Sequence, residues 1–319
     1  MGTNSRRTRR ICAAALLAAL ICLSLAGCGP VVPAEDEELS IYATVYPMYV
    51  LADAVLRDVP SVQLRCLTQP QDGCLRSYRL SDWDLALLKA SDAVIAGGRG
   101  LESYESTLFG LGESGPAVAA ALYNLPLYNA SQTHASGDSE SHLDGPNPHL
   151  YMSLSGAGMI VESIAASMQA MDSDYADQYA KNAKSAADAL NALAEELQAE
   201  NADLSGKPVI LMNEALVYVA QDYGLTVAEW IDRESGVALY DAELEKCLDK
   251  LKASGANVIL IERQAPSGFV RALEGAGFAV ARIDILSTHR EDAGFETYQQ
   301  VQRENAAAIR AAFQKEAER

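Results

Sequence analysis

Short apolar runs alternate with amphipathic segments along most of the chain, and this alternation predicts its secondary structure. The runs LSIYATVY, VQLRCL and AVIAGG begin at positions 39, 62 and 93 and predict strands. The segments PMYVLADAVLRD and SDWDLALLKAS lie between them and predict helices, because Pro47 suits a first helical turn and Ser81 and Asp82 suit a helix start. A further short strand is expected near ALYNLPLYN, and a helix over SGAGMIVESIAASMQAM.

The same alternation resumes in the last third of the chain. KPVILMN, LTVAEWI, ANVILIER and FAVARIDIL predict strands, and EALVYVAQDYG, DAELEKCLDKLKASG, GFVRALEGAG and YQQVQRENAAAIRAAF predict helices. A strand followed by a helix, repeated, is typical of a parallel sheet covered on both faces. The sequence therefore predicts two βα lobes, an N-terminal lobe over residues 39–171 and a C-terminal lobe over residues 205–319.

The segment between the lobes, residues 172–204, carries one apolar stripe at steps of three and four residues. Its members are Tyr175, Tyr179, Ala186, Leu190, Leu193 and Leu197. This spacing predicts one amphipathic helix on the order of 45 Å long, which would link the two lobes. The expected fold class is α/β, with two parallel-sheet lobes joined by one long helix and a ligand cleft between them.

The first residues have a different character. Four arginines without an acid precede the apolar run ICAAALLAALICLSLAG, which predicts a signal peptide over residues 1–27. The run ends in Leu-Ala-Gly before Cys28, which looks like a bacterial lipobox with Cys28 as the lipidated residue; a plain transmembrane anchor is the alternative. Residues 28–38 are rich in proline and acid and predict a flexible tether. We therefore expect a lipid-anchored, extracytoplasmic protein.

The net charge limits which partners the protein can bind, and the cysteines limit which sulfur chemistry is expected. The formal net charge of −18 argues against nucleic-acid binding. We also expect the protein to be a monomer. Cys66 and Cys74 are close enough in an exported chain to form a disulfide worth about 2.5 kcal/mol. Cys74 is alternatively a metal ligand, which a disulfide would prevent. Cys247 lies at helical spacing with leucines and is expected to be a buried thiol.

Polar side chains follow several of the predicted strands, where ligands bind in open parallel sheets. The set, with a histidine from the loop segment NPHLYM, consists of Asp72, Cys74, His149, Asn213, Glu214, Glu262 and Asp284. Imidazole, carboxylate and thiolate together suit a divalent transition metal better than a sugar or a phosphate.

Several stretches, in this order, resemble the metal-binding substrate-binding lipoproteins of ABC transporters, the ZnuA/TroA-like cluster. LSDWDLALLKASDAVIAGGRGLESYES is similar to that family's S-D-x-x-x-L-x-x-A-D segment, and NPHLYMSL to its D-P-H-x-W stretch. The helix EALVYVAQDYGL, the strand end VILIERQ and the segment ARIDIL also match. The resemblance implies metal ligands at His149 and Asp284.

Two expected ligands depart from the family pattern. Cys74 stands where the family has its first ligand histidine, in a segment that reads DGCLRSY. The third ligand position falls on Asn213, a neutral amide, with Glu214 adjacent. Glu262 and Asp72 are expected to orient the metal ligands without binding the ion themselves. Each residue also has a structural alternative: His149 as an ordinary loop residue, Asp284 in a salt bridge, for which Arg282 is a candidate partner, and Glu262 paired with Arg263.

The resemblance implies an extracytoplasmic lipoprotein that captures Zn²⁺ or Mn²⁺ as the transported ligand and delivers it to an ABC permease. It implies binding and release without catalysis, and no H-E-x-x-H, G-x-S-x-G or phosphate-loop motif indicates an enzyme. The alternative is a surface adhesin or interaction protein of the same fold that has lost tight metal binding.

Overall fold

The computed structural model describes residues 38–68, 78–112, 115–128, 145–231, 237–290 and 294–319. The predicted signal peptide, the tether up to residue 37 and its lipidation site Cys28 lie outside these ranges. So do two residues of the predicted metal site, Asp72 and Cys74.

The N-terminal lobe is built on a parallel sheet with the strand order β2-β1-β3-β4. Its strands are β1 (Leu39–Ala43), β2 (Val62–Cys66), β3 (Ala93–Ala96) and β4 (Ala117–Ala120), and its helices are α1 (Tyr46–Leu56), α2 (Asp82–Ala90), α3 (Glu105–Phe109) and α4 (Leu154–Met171). The strand predicted near ALYNLPLYN lies directly before that segment. The fourth strand is the preceding AVAA, and the chain turns directly after it.

The C-terminal lobe repeats this topology with the strand order β6-β5-β7-β8, again all parallel. Its strands are β5 (Pro208–Leu211), β6 (Thr226–Trp230), β7 (Val258–Glu262) and β8 (Ala279–Ile283), and its helices are α6 (Leu216–Asp222), α7 (Asp241–Ala253), α8 (Ser267–Gly275) and α9 (Phe295–Ala317). Every residue of β7 is buried, as expected for an inner strand covered on both faces. The two-lobe α/β fold is therefore confirmed.

Local sequence signals explain where helices begin and end. Ser81 precedes α2 and accepts a hydrogen bond from the Asp84 backbone N–H, while the Asp84 carboxylate accepts from the Ser81 backbone N–H. This reciprocal capping box satisfies two backbone donors that a helix start leaves open. The chain leaves α6 at Gly224, whose φ of +61° is a conformation that a side chain disfavours.

The segment between the lobes is helical almost throughout. Helix α5 (Ala176–Glu200) has 25 residues and is flanked by short 3-10 helices at Ser173–Tyr175 and Ala202–Leu204. Its buried residues are Tyr179, Ala183, Ala186, Leu190, Leu193 and Leu197. This helix packs on α4 and α1 of the N-terminal lobe and also contacts α9 of the C-terminal lobe. Among the described residues, no helix combines the length and the apolar character that crossing a membrane requires.

Polar contacts also join the lobes. The Asp222 carboxylate at the end of α6 accepts hydrogen bonds from Ser153 Oγ at 2.8 Å and from the Leu154 backbone N–H at 3.0 Å, so a residue of one lobe caps α4 in the other. The hydroxyl of Tyr298, fully buried in α9, donates to the Tyr151 carbonyl at 2.7 Å. One apolar core contains residues of both lobes, and residues 39–319 form a single compact unit.

Candidate metal site

His149 lies immediately before a 3-10 turn, Leu150–Met152, that leads into α4. Its side chain is almost completely buried, with a relative exposure of 4% for the residue. The preceding segment contacts the C-terminal lobe through Asn147, whose carbonyl accepts a 2.7 Å hydrogen bond from the Tyr218 hydroxyl in α6. The histidine is therefore held at the boundary between the lobes rather than in a solvent-exposed loop.

The hydrogen bonds of Asn147 determine which ring nitrogen of His149 carries the proton. The Asn147 Nδ2 donates to the Glu214 carbonyl at 2.8 Å, and Oδ1 accepts from the His149 backbone N–H at 3.0 Å, so the orientation of the amide is fixed twice. Oδ1 is also 2.9 Å from His149 Nδ1. Because an amide oxygen only accepts, Nδ1 carries the hydrogen and Nε2 is the basic nitrogen. Metal-binding histidines are commonly oriented in this way, by a bond from the other ring N–H.

Glu214 and Asn213 follow β5 and differ in how their side chains are used. The Glu214 carboxylate is close to the imidazole, with Oε1 3.6 Å from His149 Nδ1. The Asn213 side chain is buried and its Oδ1 accepts the Ala215 backbone N–H at 2.9 Å, which stabilises the turn before α6. Of the two candidates for the third ligand, Glu214 is the one whose carboxylate reaches the histidine.

Asp284 follows β8 and is surrounded by arginines. Its Oδ2 accepts hydrogen bonds from Arg290 Nη2 at 2.6 Å and from Arg263 Nη1 at 3.3 Å, and its Oδ1 accepts from the Leu286 backbone N–H at 2.9 Å. Arg290 also pairs with Glu304 at 2.8 Å. Two guanidinium groups therefore compensate this carboxylate, which is 4% exposed. A metal ion would have to compete with them.

Arg282 does not pair with Asp284, so the partner suggested by the sequence is wrong. Its guanidinium donates instead to the carbonyls of Arg263 and Ala265. Glu262 is fully buried at the end of β7, whereas Arg263 turns to Asp284. An open pocket of about 460 Å³ lies here, lined by Arg263, Arg282, Asp284, Glu304 and Asn305.

Cys66 and His289 form a further contact between the lobes. Cys66 ends β2, and its Sγ lies 3.4 Å from Nε2 of His289, which follows β8 in the other lobe. The Tyr46 ring stacks on the imidazole with centroids 4.5 Å apart. Burial raises the pKa of the Cys66 thiol to about 11 and lowers the pKa of His289, so both groups are neutral near pH 7.

The disulfide between Cys66 and Cys74 stays a prediction. Cys66 is a free thiol whose sulfur contacts Thr68 and His289, while Cys74 lies outside the described residues. Cys247 is buried in α7, as predicted.

Sequence reasoning missed the residues that position the predicted ligands. Asn147, Arg290 and His289 were not singled out, although His289 is one of only four histidines and Asn147 is two residues before His149. Within the described part of the chain, no three His, Cys, Asp or Glu side chains are grouped closely enough to hold a metal ion. The structure brings His149 together with Glu214, and Asp284 with arginines.

Two curated proteins with similar sequences have names that refer to zinc. A 163-residue stretch is 27% identical to the high-affinity zinc uptake system protein ZnuA of Brucella abortus, covering 51% of this chain and 48% of that protein. The zinc-binding lipoprotein AdcA of Streptococcus pneumoniae is 24% identical over 307 residues, covering 92% of this chain and 60% of the relative. The chain thus spans about half the length of the first of these curated relatives and less than two thirds of the second.

Solved structures support the fold assignment. The SBP FpvC of Pseudomonas aeruginosa, in complex with Mn²⁺, superposes with a TM-score of 0.73 at 23% identity, covering 87% of this chain and 99% of that chain. At this identity the likeness concerns the fold. The family model described as "Zinc-uptake complex component A periplasmic", ZnuA, matches residues 41–312, which is most of the chain and includes both lobes. The chain therefore belongs to the ZnuA family.

Proposed function

We propose that this protein captures a divalent transition metal, Zn²⁺ or Mn²⁺, and delivers it to an ABC permease. The metal is cargo, and the work of the protein is binding and release rather than catalysis. Membership of a family named for zinc uptake supports this function, as do relatives whose names record zinc uptake and zinc binding. Membership of this family favours metal capture over the alternative of an adhesin or interaction protein without metal binding.

The arrangement of His149 is the observation that carries the proposal. Its ring is buried at the lobe boundary, its Nδ1 hydrogen is directed to Asn147, and a carboxylate lies beside it. An ordinary loop histidine needs none of these features. A neutral imidazole whose Nδ1 hydrogen is held by Asn147 presents Nε2 as a preorganised metal ligand, and the Glu214 carboxylate on the Nδ1 side of the ring adds negative charge beside it.

The rest of the ligand set is also a proposal. Glu214 takes the third ligand position in preference to Asn213, whose amide oxygen already accepts from the backbone. Asp284 becomes a ligand when the ion displaces Arg290 and Arg263 from its carboxylate. Cys74 is the proposed first ligand. A set with imidazole and thiolate favours Zn²⁺, whereas carboxylates and an amide oxygen favour Mn²⁺.

The proposed location is extracytoplasmic, with a lipid on Cys28 as the anchor. The periplasmic description of the family and the lipoprotein name of AdcA support this location. In that setting the protein acts as a monomer that meets the permease at the membrane surface.

Metal content before and after one substitution tests the proposal. The purified protein is stripped with a chelator, dialysed against Zn²⁺ or Mn²⁺ and analysed for bound metal by mass spectrometry, together with His149→Ala. We expect the variant to hold about one ion per chain fewer than the wild type, with the affinity of the cargo site at least about 100-fold lower, because a ligand is removed.

A matched variant is Asn147→Ala, which keeps the His149 imidazole but removes the amide that orients it and that also bonds to the Glu214 carbonyl. We expect this variant to bind about tenfold more weakly than the wild type, between the wild type and His149→Ala. A wild-type protein that binds neither ion, or a His149→Ala variant that binds as well as the wild type, would contradict the proposed function.

A further inference from the structure

We propose that Cys66 and His289 are two ligands of a lobe-bridging metal site, and that the site takes a thiophilic divalent ion of the Zn²⁺ class. This site uses neither His149 nor Glu214 and therefore goes beyond the proposed function. It was not apparent from the sequence, where the two residues are separated by 223 positions.

The distance between the two ligand atoms fits a shared ion. Cys66 Sγ and His289 Nε2 are 3.4 Å apart. In a tetrahedral zinc site, a Zn–S bond of about 2.3 Å and a Zn–N bond of about 2.0 Å place sulfur and nitrogen about 3.5 Å from each other. An ion can thus bind both atoms with almost no movement of the lobes. The thiol loses its proton to solvent as the sulfur–metal bond forms, and the oxidation states do not change.

Neighbouring groups hold the pair in this geometry. The Tyr46 ring stacks on His289 at an interplanar angle of 22°, and the Tyr46 hydroxyl accepts from the Arg290 backbone N–H at 3.3 Å. On the other side, Thr68 Oγ1 lies 3.5 Å from the sulfur. Both ligand side chains are partly exposed, which gives an ion and its remaining water ligands access.

The ligands come from opposite lobes, which gives the site a consequence for motion. Cys66 ends β2 in the N-terminal sheet and His289 follows β8 in the C-terminal sheet. A bound ion replaces one weak sulfur–imidazole hydrogen bond by two coordinate bonds and so strengthens the closed arrangement of the lobes.

Cobalt spectroscopy on the full-length, reduced protein tests the site. Co²⁺ is the probe because a thiolate bound to it produces a charge-transfer absorption band that oxygen and nitrogen ligands do not produce. Cys74→Ser is the background for these measurements, because the thiolate of Cys74 in the proposed cargo site would add a band of its own. In that background we expect the band, its loss when Cys66→Ser is added, and at least tenfold weaker Co²⁺ binding at this site when His289→Ala is added. His289→Cys supplies a replacement ligand and is expected to restore tight binding, which a merely structural role for the histidine would not explain.

Three matched variants make the outcome specific. Cys247→Ser changes a buried thiol elsewhere and should keep the band. Cys74→Ser removes the thiolate of the proposed cargo site, and His149→Ala its imidazole, and both should keep the band if the Cys66 site exists. A band lost in Cys74→Ser and retained in Cys66→Ser overturns the inference, and so does a wild type without a band. Loss in His149→Ala of cargo binding alone, with the band unchanged, separates this inference from the proposed function.

Folding and oxidation are checked on the same samples. In the Cys74→Ser background, Cys66→Ser should lose the band at an unchanged thermal midpoint of the metal-free protein, because serine nearly preserves the shape of cysteine. Thiol mapping of the protein as isolated should find Cys66 reduced. A disulfide between Cys66 and Cys74 there would overturn the inference, because a bonded sulfur has no thiolate to offer.

Discussion

The segments around His149 and around Asp284 both match the family's ligand pattern, yet their polar surroundings are opposite. His149 is bonded to a neutral amide and lies beside a carboxylate. Asp284 is bonded to two guanidinium groups. The first arrangement attracts a cation, whereas the second already contains cations. A residue that matches a family's ligand position is therefore not automatically a ligand; the charges around it decide how much metal binding costs.

His149 and Asp284 are therefore expected to have different roles. The His149 ring can accept a metal without losing its bond to Asn147, because the two interactions use different nitrogens. Asp284 can bind a metal through Oδ2 only if an arginine leaves, since that oxygen is the one both guanidinium groups contact. We therefore expect His149 to matter mainly for metal binding and Asp284 mainly for stability of the metal-free protein.

The largest expected effect is that of Asp284→Ala on stability. Removing the carboxylate leaves Arg290 and Arg263 without their shared buried partner, and we expect the free energy of unfolding to fall by roughly 3 kcal/mol. Chemical denaturation of the metal-free protein measures it. The control is Glu304→Gln, which removes the more exposed partner of Arg290 and should cost less than about 1 kcal/mol. Equal losses of unfolding free energy in the two variants would show that Asp284 contributes no more to stability than Glu304 does.

The next effect concerns Glu214. Glu214→Gln keeps the size of the side chain but removes its charge, and we expect metal affinity to fall about 10- to 100-fold, because the carboxylate beside His149 is lost. Isothermal titration with Zn²⁺ and Mn²⁺ measures it. Asn213→Asp is the matched control, since it keeps the oxygen that accepts from Ala215, and it should bind with nearly unchanged affinity. If Asn213→Asp raised affinity while Glu214→Gln had no effect, the third ligand would be residue 213.

Arg290→Gln tests whether Arg290 and the metal ion compete for the Asp284 carboxylate. It removes a cation 2.6 Å from the Asp284 carboxylate, and we expect metal affinity to rise by up to about tenfold. Arg282→Gln removes an equal charge that does not contact Asp284 and should leave affinity almost unchanged. Weaker binding in Arg290→Gln would mean that the arginine supports the site rather than competing for it.

The smallest expected effect is a pH dependence of stability that comes from the pair of Arg290 and Glu304 beside Asp284. The hydrogen bond from Arg290 lowers the pKa of Glu304 below its ordinary value of 4.5. The stabilisation from this pair is therefore fully present above pH 4.5 and is lost as the pH falls through the lower, folded-state pKa. NMR titration of Glu304 should show its pKa rising toward the ordinary value in Arg290→Gln. An unchanged pKa would mean that another group sets it.

The fold was predictable because its signals are local. Apolar runs bounded by glycine, proline or a capping residue such as Ser81 mark strands and helices without reference to the rest of the chain. The weakest of these signals is that of β4, whose sequence AVAA is short and has smaller side chains than the neighbouring segment ALYNLPLYN. For this strand the sequence therefore indicates the neighbourhood but not the bounds.

The site was predictable only in part, because its decisive contacts are between distant residues. His149 and its neighbour Asn147 are local, but Glu214 meets them from 65 positions or more along the chain, across the lobe boundary. Whether Arg263, Arg282 or Arg290 pairs with Asp284 depends on the path of the segment after β8, where Leu286 has a positive φ of 57°. The contact of Cys66 with His289 likewise requires both lobes to be in place.

The cap that Asp222 places on α4 has a consequence for how this molecule melts. Unfolding of the C-terminal half would remove the acceptor for Leu154 N and Ser153 Oγ, and would expose the start of a helix in the other half. Neither half can then lose its structure at no cost to the other. Differential scanning calorimetry should accordingly record one endotherm, in which the calorimetric and van't Hoff enthalpies agree, for a chain whose two sheets look like independent units.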